Sequence, residues 1–282
     1  MNSGAQPASQ SASRSLLPFF AITFGWSWSF WLPAVVATAG WVELPGAATS
    51  VLGVIAVFGP SVAAFGLTIR HEGRQAGLSL WQRGWSWPHG RVWLLPVLFL
   101  LPAVTLLTVG VMTLLGEPLQ MEHAVPVAMM VPVFLLIYLL NALPEEYGWR
   151  GYAPDLLQAR WNALLASLIL GAVWGLWHLP LRFIQGSVQE VVPVWQFVAQ
   201  TVVLTVLYTW VYNNTRGSVL AVALLHAVAN ISAATLPYWL SEVGRLAHFG
   251  VLSATALAVI AIWGPKTLTR ERARGPARGE AG

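Results

Sequence analysis

The chain has no cysteine, and only 9% of its residues are charged. Without thiols it can form no disulfide and use no cysteine nucleophile, although this leaves the redox compartment undetermined. Soluble domains carry about a quarter charged residues, so so little charge excludes water as the main solvent. Apolar residues take their place: 56% of the chain is hydrophobic and the mean hydropathy is +0.64. The formal net charge of +4 does not point to nucleic acid, because the basic residues fall in tails and between apolar runs, where lipid headgroups account for them. The composition is that of a multi-pass protein of the cell membrane, with the lipid bilayer as its first partner.

Runs of twenty or more residues without Asp, Glu, Lys or Arg recur at 15–42, 44–69, 92–116, 123–144, 161–181, 191–215, 217–241 and 246–265. Each can cross a hydrocarbon core of ~30 Å as a helix, which takes about 20 residues. Barrel strands are excluded, because the runs are apolar throughout and too long for strands of about 10 residues. The expected fold is therefore all-α, with eight transmembrane helices. Ala37-Thr38-Ala39 has the form of a signal-peptidase site, but the preceding apolar run exceeds a signal peptide's h-region, so a retained first helix is expected.

With a cytoplasmic amino terminus, eight spans place 13 of the 15 basic residues inside and leave Arg182 and Arg245 outside. That asymmetry is the one the positive-inside rule describes, so both termini are expected in the cytoplasm. Residues 1–14, rich in Ser, Ala and Gln, and 266–282, rich in Arg, Gly and Pro, are expected to be disordered tails flanking a membrane domain at 15–265. The loop from 70 to 91 mixes arginines with Trp81, Trp85 and Trp87. It reads as an interfacial anchor whose arginines face lipid phosphates.

An ionisable or strongly polar side chain inside a span is costly unless it faces a cavity or a partner, so such residues mark function. In LLNALPEEYGWRGY, residues 139–152, Glu146 and Arg150 stand at i and i+4 and can pair, while Glu145 lies about 100° around the helix. Pro144 breaks the backbone ladder just before them, and Gly148 and Gly151 permit close approach. Taken alone, the stretch is equally an interfacial salt bridge ending a span. His178, with Trp174 one turn earlier, reads in isolation as a satisfied interfacial group more readily than as a catalyst. His226 and Asn230, at i and i+4, form a polar patch on one face of the seventh span. Counting depth from Arg160 and Arg216 at 1.5 Å per residue brings Glu145, His178 and His226 to comparable levels, if part of 152–160 lies along the interface. All are then expected to line one cavity opening toward the cytoplasm.

Glu145-Glu146-x-x-x-Arg150, a histidine about thirty residues on, and His226-x-x-x-Asn230 together resemble the CPBP family of intramembrane proteases. That family includes type II CAAX prenyl proteases and bacteriocin-processing or self-immunity proteins. The resemblance covers about 125–237. It implies that Glu145 activates a water with His178, that His226 and Asn230 stabilise the oxyanion, and that Glu146 with Arg150 braces the site. The family's second motif usually reads Phe-x-x-x-His, whereas Trp174 fills the aromatic position here, which bears on substrate shape near His178.

The resulting expectation is a membrane-embedded endopeptidase acting on a CAAX-like, bacteriocin-like or other membrane-associated peptide, with no required cofactor. Zn²⁺ held by the Glu and His residues, with Asn230 behind them, is the alternative, although no His-Glu-x-x-His signature is present. Two other classes stand beside it: a proton-coupled transporter using buried Glu and His, and a non-catalytic protease-like immunity protein. Against the transporter, no pair of broken spans in matching halves is evident.

Overall fold

The structure, a computed structural model, describes residues 16–87 and 90–270. The expected amino-terminal tail, and 271–282 of the expected carboxy-terminal tail, lie outside the described residues. Among the described residues all regular structure is helical. Seven segments are long and apolar enough to cross a membrane, from Leu16–Thr38 to Glu242–Trp263, and Val219–Thr235 is a shorter apolar helix. These correspond one for one to the eight apolar runs, and the chain is an all-α, multi-pass membrane protein.

Two spans are interrupted beside a proline, whereas Pro33 and Pro102 lie inside unbroken helices. The second span divides into α2 (Gly46–Val57) and α3 (Gly59–Glu72), following α1 (Leu16–Thr38), with Pro60 in the first turn of α3. Proline needs no hydrogen-bonded N–H there, and its ring forbids a continuous helix from the preceding turn. After α4 (Arg74–Arg83) and α5 (Leu94–Leu114), the fourth span runs as α6 (Met130–Ile137), a π-helical turn at Tyr138–Ala142, α7 (Leu143–Trp149) and α8 (Ala153–Gln158). Next come α9 (Ala163–Trp177), the short α10 (Val188–Val191), α11 (Val194–Asn214), α12 (Val219–Thr235) and α13 (Glu242–Trp263).

α9 and α11 pack against each other along their lengths. Gly171 and Gly175 lie against the backbone of Val202 and Val198, where a Cβ would collide, so the two helices meet at a distance only glycine permits. Within the bundle this close packing supplies the favourable contacts that hydrophobic exclusion cannot, since lipid is as apolar as the side chains.

Hydrogen bonds identify the two ends of the bundle. At one end Ala163 N donates to Lys266 O (2.9 Å), and Asn213 and Asn214 Nδ2 donate to Thr267 O (2.8 Å) and Leu268 O (2.7 Å). Residues 266–270, expected within a disordered tail, are thus held in place by these bonds, and the Lys266 carbonyl pairs the first amide of the helix that starts at Ala163. Arg83 belongs to the same end. It donates to Gly151 O (3.0 Å), Gly217 O (3.1 and 2.8 Å) and the Tyr212 hydroxyl (2.7 Å). It therefore turns inward to unpaired carbonyls rather than outward to lipid, which corrects the anchor reading at this position. At the opposite end Val125 N donates to Ala234 O (2.8 Å), beside the loops 179–193 and 236–241.

Candidate active site

The site begins with the break in the fourth span. Pro144 cannot donate to the carbonyl one turn earlier, and the chain widens there into the π turn Tyr138–Ala142. Ser61 Oγ anchors the turn from α3 by donating to Pro144 O at 2.5 Å. A Cβ at Gly148 would strike Pro60, so α7 lies directly on α3. The widened turn presents Asn141 one helical turn before Glu145, and Asn141 Nδ2 donates to Glu145 Oε1 at 2.9 Å.

Glu145 and Glu146 are both buried, yet they play separate parts. Glu146 Oε1 accepts from Arg150 Nη1 (3.0 Å) and from His226 Nδ1 (2.8 Å). The Arg150 guanidinium lies over the rings of Trp174 (4.6 Å) and Tyr208 (4.7 Å), which provide the cation–π contacts a desolvated arginine needs. Glu145 stands apart from this ion pair: its Oε2 accepts from Trp174 Nε1 at 2.8 Å. An ionised carboxylate has about four acceptor positions, so two donors leave Glu145 able to accept from a water.

His178 caps the end of α9. Its Nδ1 lies 2.8 Å from the Trp174 carbonyl, which can only accept, so Nδ1 carries the proton and Nε2 holds the free lone pair. Trp177 and Phe197 meet the ring edge-on at 4.7 and 5.2 Å and fix its plane. His226 is oriented the same way, with Nδ1 on Glu146. Asn230 Nδ2 donates to Asn141 Oδ1 at 2.8 Å, joining α12 to the π turn.

Glu145, His178, His226 and Asn230 all line one cavity of about 480 Å³, together with Asn141 and Trp174. Glu146 and Arg150 are not among its lining and pair with each other behind it. Its rim is formed by Val188, Gln189 and Val192 from the loop after α9, and by Tyr238, Trp239 and Arg245. The mouth therefore lies at the end opposite Arg83, Arg216 and the packed 266–270 segment. This overturns the expectation that the cavity opens on the side of Arg160 and Arg216. Residue counting fixed the depth of the polar groups but not which mouth they serve. Because His178 sits at the far end of α9, the chain leaving it frames the opening.

Two site residues were missed in the sequence. Asn141 is the only amide in the apolar run before Pro144, four residues ahead of Glu145, and the criterion that singled out His226 and Asn230 applies to it as well. Trp174 was read only as the aromatic residue of the second motif, yet its indole N–H is a hydrogen-bond donor to Glu145. Among the described residues no group of three or more His, Cys, Asp or Glu is arranged to hold a metal ion.

Comparison with known proteins supports the likeness carried by these motifs. Residues 127–232, which contain Asn141, Glu145, Glu146, Arg150, His178, His226 and Asn230, match the family model described as type II CAAX prenyl endopeptidase Rce1-like. The chain is also similar to CAAX prenyl protease 2 of Methanococcus maripaludis, with 34% identity over 136 residues, 46% of this chain and 49% of the relative. The chain thus spans about half the length of the curated relative it matches.

Proposed function

We propose, because residues 127–232 match the family model described as type II CAAX prenyl endopeptidase Rce1-like, that the chain is an intramembrane endopeptidase using Glu145 and His178 to activate water. The observation that carries this reading is the convergence of Glu145, His178, His226 and Asn230 on one cavity from three separate helical segments.

Peptide hydrolysis needs a base for the water and donors for the oxyanion that forms on the carbonyl. A water between the free lone pairs of Glu145 and the unprotonated Nε2 of His178 loses a proton to one of them as its oxygen bonds to the carbonyl carbon. The C=O π electrons move to oxygen, giving a tetrahedral oxyanion. Asn230 has a second amide N–H for that oxygen. A donor at His226 Nε2 requires both ring nitrogens protonated, with Glu146 as the anion facing Nδ1. Collapse of the intermediate breaks the C–N bond, and the proton taken from water passes to the departing amine. Glu146 and Arg150 hold His226 and the floor of the site, and no metal takes part.

The test is cleavage by purified protein incubated with a membrane-protein library, with new termini identified by mass spectrometry. Glu145→Ala and His226→Ala are expected to abolish cleavage while the protein stays folded. Undiminished cleavage by both variants would sink the proposal.

A further inference from the structure

We infer that the catalytic cavity opens to the extracytoplasmic side of the membrane, so that the substrate is a polypeptide whose scissile segment is presented at the outer leaflet. The inference rests on the endopeptidase reading for the word substrate, but the sidedness stands on charge and geometry alone.

The two ends of the bundle differ sharply in charge. At the end where Arg83 binds Gly151 and Gly217, and where Ala163 binds Lys266, lie Arg70, Arg74, Arg91, Arg160, Arg216 and Arg270. The remaining basic residues of the tails adjoin the same end in sequence. At the other end the only lysines or arginines among the described residues are Arg182 and Arg245, among Glu43, Glu117, Glu122, Glu190 and Glu242. Arg150 is buried in the site beside Glu146 and contributes to neither surface. Short, arginine-rich loops are retained in the cytoplasm, whereas acidic residues have little influence on orientation. The rule therefore assigns the Arg83 end to the cytoplasm.

The cavity mouth lies at the other end. Its rim residues Val188, Gln189 and Trp239 belong to the loops 179–193 and 236–241, whose charged residues are Arg182 and Glu190. Val188 is 38% exposed while forming part of the cavity wall, so the rim is reachable. The apolar wall below it, Trp31, Val57 and Ile137, continues the cavity into the bilayer core, as suits a substrate segment descending from the outer surface.

The absence of cysteine permits a clean test. Val188→Cys at the rim and Ser79→Cys on the exposed face of α4 each introduce a single thiol, with Gln189→Cys as a second rim position should the first accumulate poorly. Intact cells are treated with a membrane-impermeant biotin-maleimide, before and after permeabilisation. The rim thiol is expected to label in intact cells and the Ser79→Cys thiol only after permeabilisation. The reverse pattern overturns the inference. Labelling does not depend on turnover, so the expected pattern in a protein that retains Glu145 yet cleaves nothing counts against the endopeptidase reading alone. Cleavage activity with the reversed pattern counts against the sidedness alone.

Discussion

Trp174 holds Glu145 through its indole: Nε1 donates to Glu145 Oε2 at 2.8 Å, bridging α9 and α7. The backbone carbonyl of the same tryptophan accepts from His178 Nδ1 at 2.8 Å. One residue thus orients both groups assigned to the water, one through its side chain and the other through its main chain.

Trp174→Phe separates these contributions. It keeps an aromatic wall and leaves the bond to His178, but removes the donor to Glu145. A hydrogen bond to a charged group is worth about 1.5–3 kcal/mol. Trp174→Phe is therefore expected to lower kcat by about tenfold or more, with KM little changed. Steady-state kinetics on a cleaved peptide check this split; a change confined to KM would make Trp174 a wall and nothing more.

Glu146 is expected to matter most for stability. Glu146→Ala leaves Arg150 buried between two rings without its anion and leaves His226 Nδ1 without an acceptor. Losing one partner of a buried ion pair costs about 3–5 kcal/mol. Glu146→Gln retains an acceptor oxygen and is expected to lose clearly less. Thermal unfolding in detergent, followed for both variants, distinguishes a bracing anion from a mere space filler.

Arg83 provides the corresponding test at the far end of the bundle. Its guanidinium satisfies carbonyls from two segments and the Tyr212 hydroxyl, which itself donates to Asp155 Oδ1 at 2.8 Å. Arg83→Ala is expected to destabilise the protein by roughly 2–4 kcal/mol, since it leaves several partly buried acceptors unpaired. The cavity lies at the opposite end, so turnover per folded molecule is expected to hold. Tm measurements beside active-fraction-corrected kinetics check both halves.

How far the sequence leads depends on the kind of information each residue carries. The eight spans are legible because lipid demands long apolar runs, and Glu145, Glu146, Arg150, His178, His226 and Asn230 are legible because polar groups within such runs are rare. The direction of the cavity mouth is not, because depth counted along α9 and α12 is the same whichever end is open. Arg83 illustrates a second limit. Its charge and its tryptophan neighbours fit a headgroup anchor, and only tertiary packing reveals the carbonyls of Gly151 and Gly217 waiting for it. The donor role of Trp174 was hidden by its apolar bulk, since an indole's one polar atom declares itself only when an acceptor is brought to it.

Metal dependence separates Glu/His water activation from the zinc alternative. A catalytic Zn²⁺ takes three protein ligands and supplies the hydroxide itself. Cleavage by protein dialysed against EDTA and 1,10-phenanthroline is expected to equal that of untreated protein. Loss of activity restored by added Zn²⁺ would replace the proposed chemistry with a metal-bound hydroxide.

The amide bridge Asn230–Asn141–Glu145 makes the oxyanion side of the cavity depend on the base side. Asn141 donates to Glu145 Oε1 while accepting from Asn230 Nδ2, so its side chain is read by both neighbours. Asn141→Ala removes a donor from the base and frees Asn230 to rotate away from the carbonyl oxygen. Asn230→Ala removes the oxyanion donor itself, a change that costs about 10²–10³ in kcat where such donors have been removed. Residues sharing one network are non-additive. The double variant is therefore expected to be less impaired than the product of the two single losses, since part of the Asn141 loss acts through Asn230. Single-turnover kinetics on all four proteins measure the coupling. Strict multiplicativity would mean that Asn141 serves Glu145 alone and that the bond to Asn230 has no part in positioning the oxyanion donor.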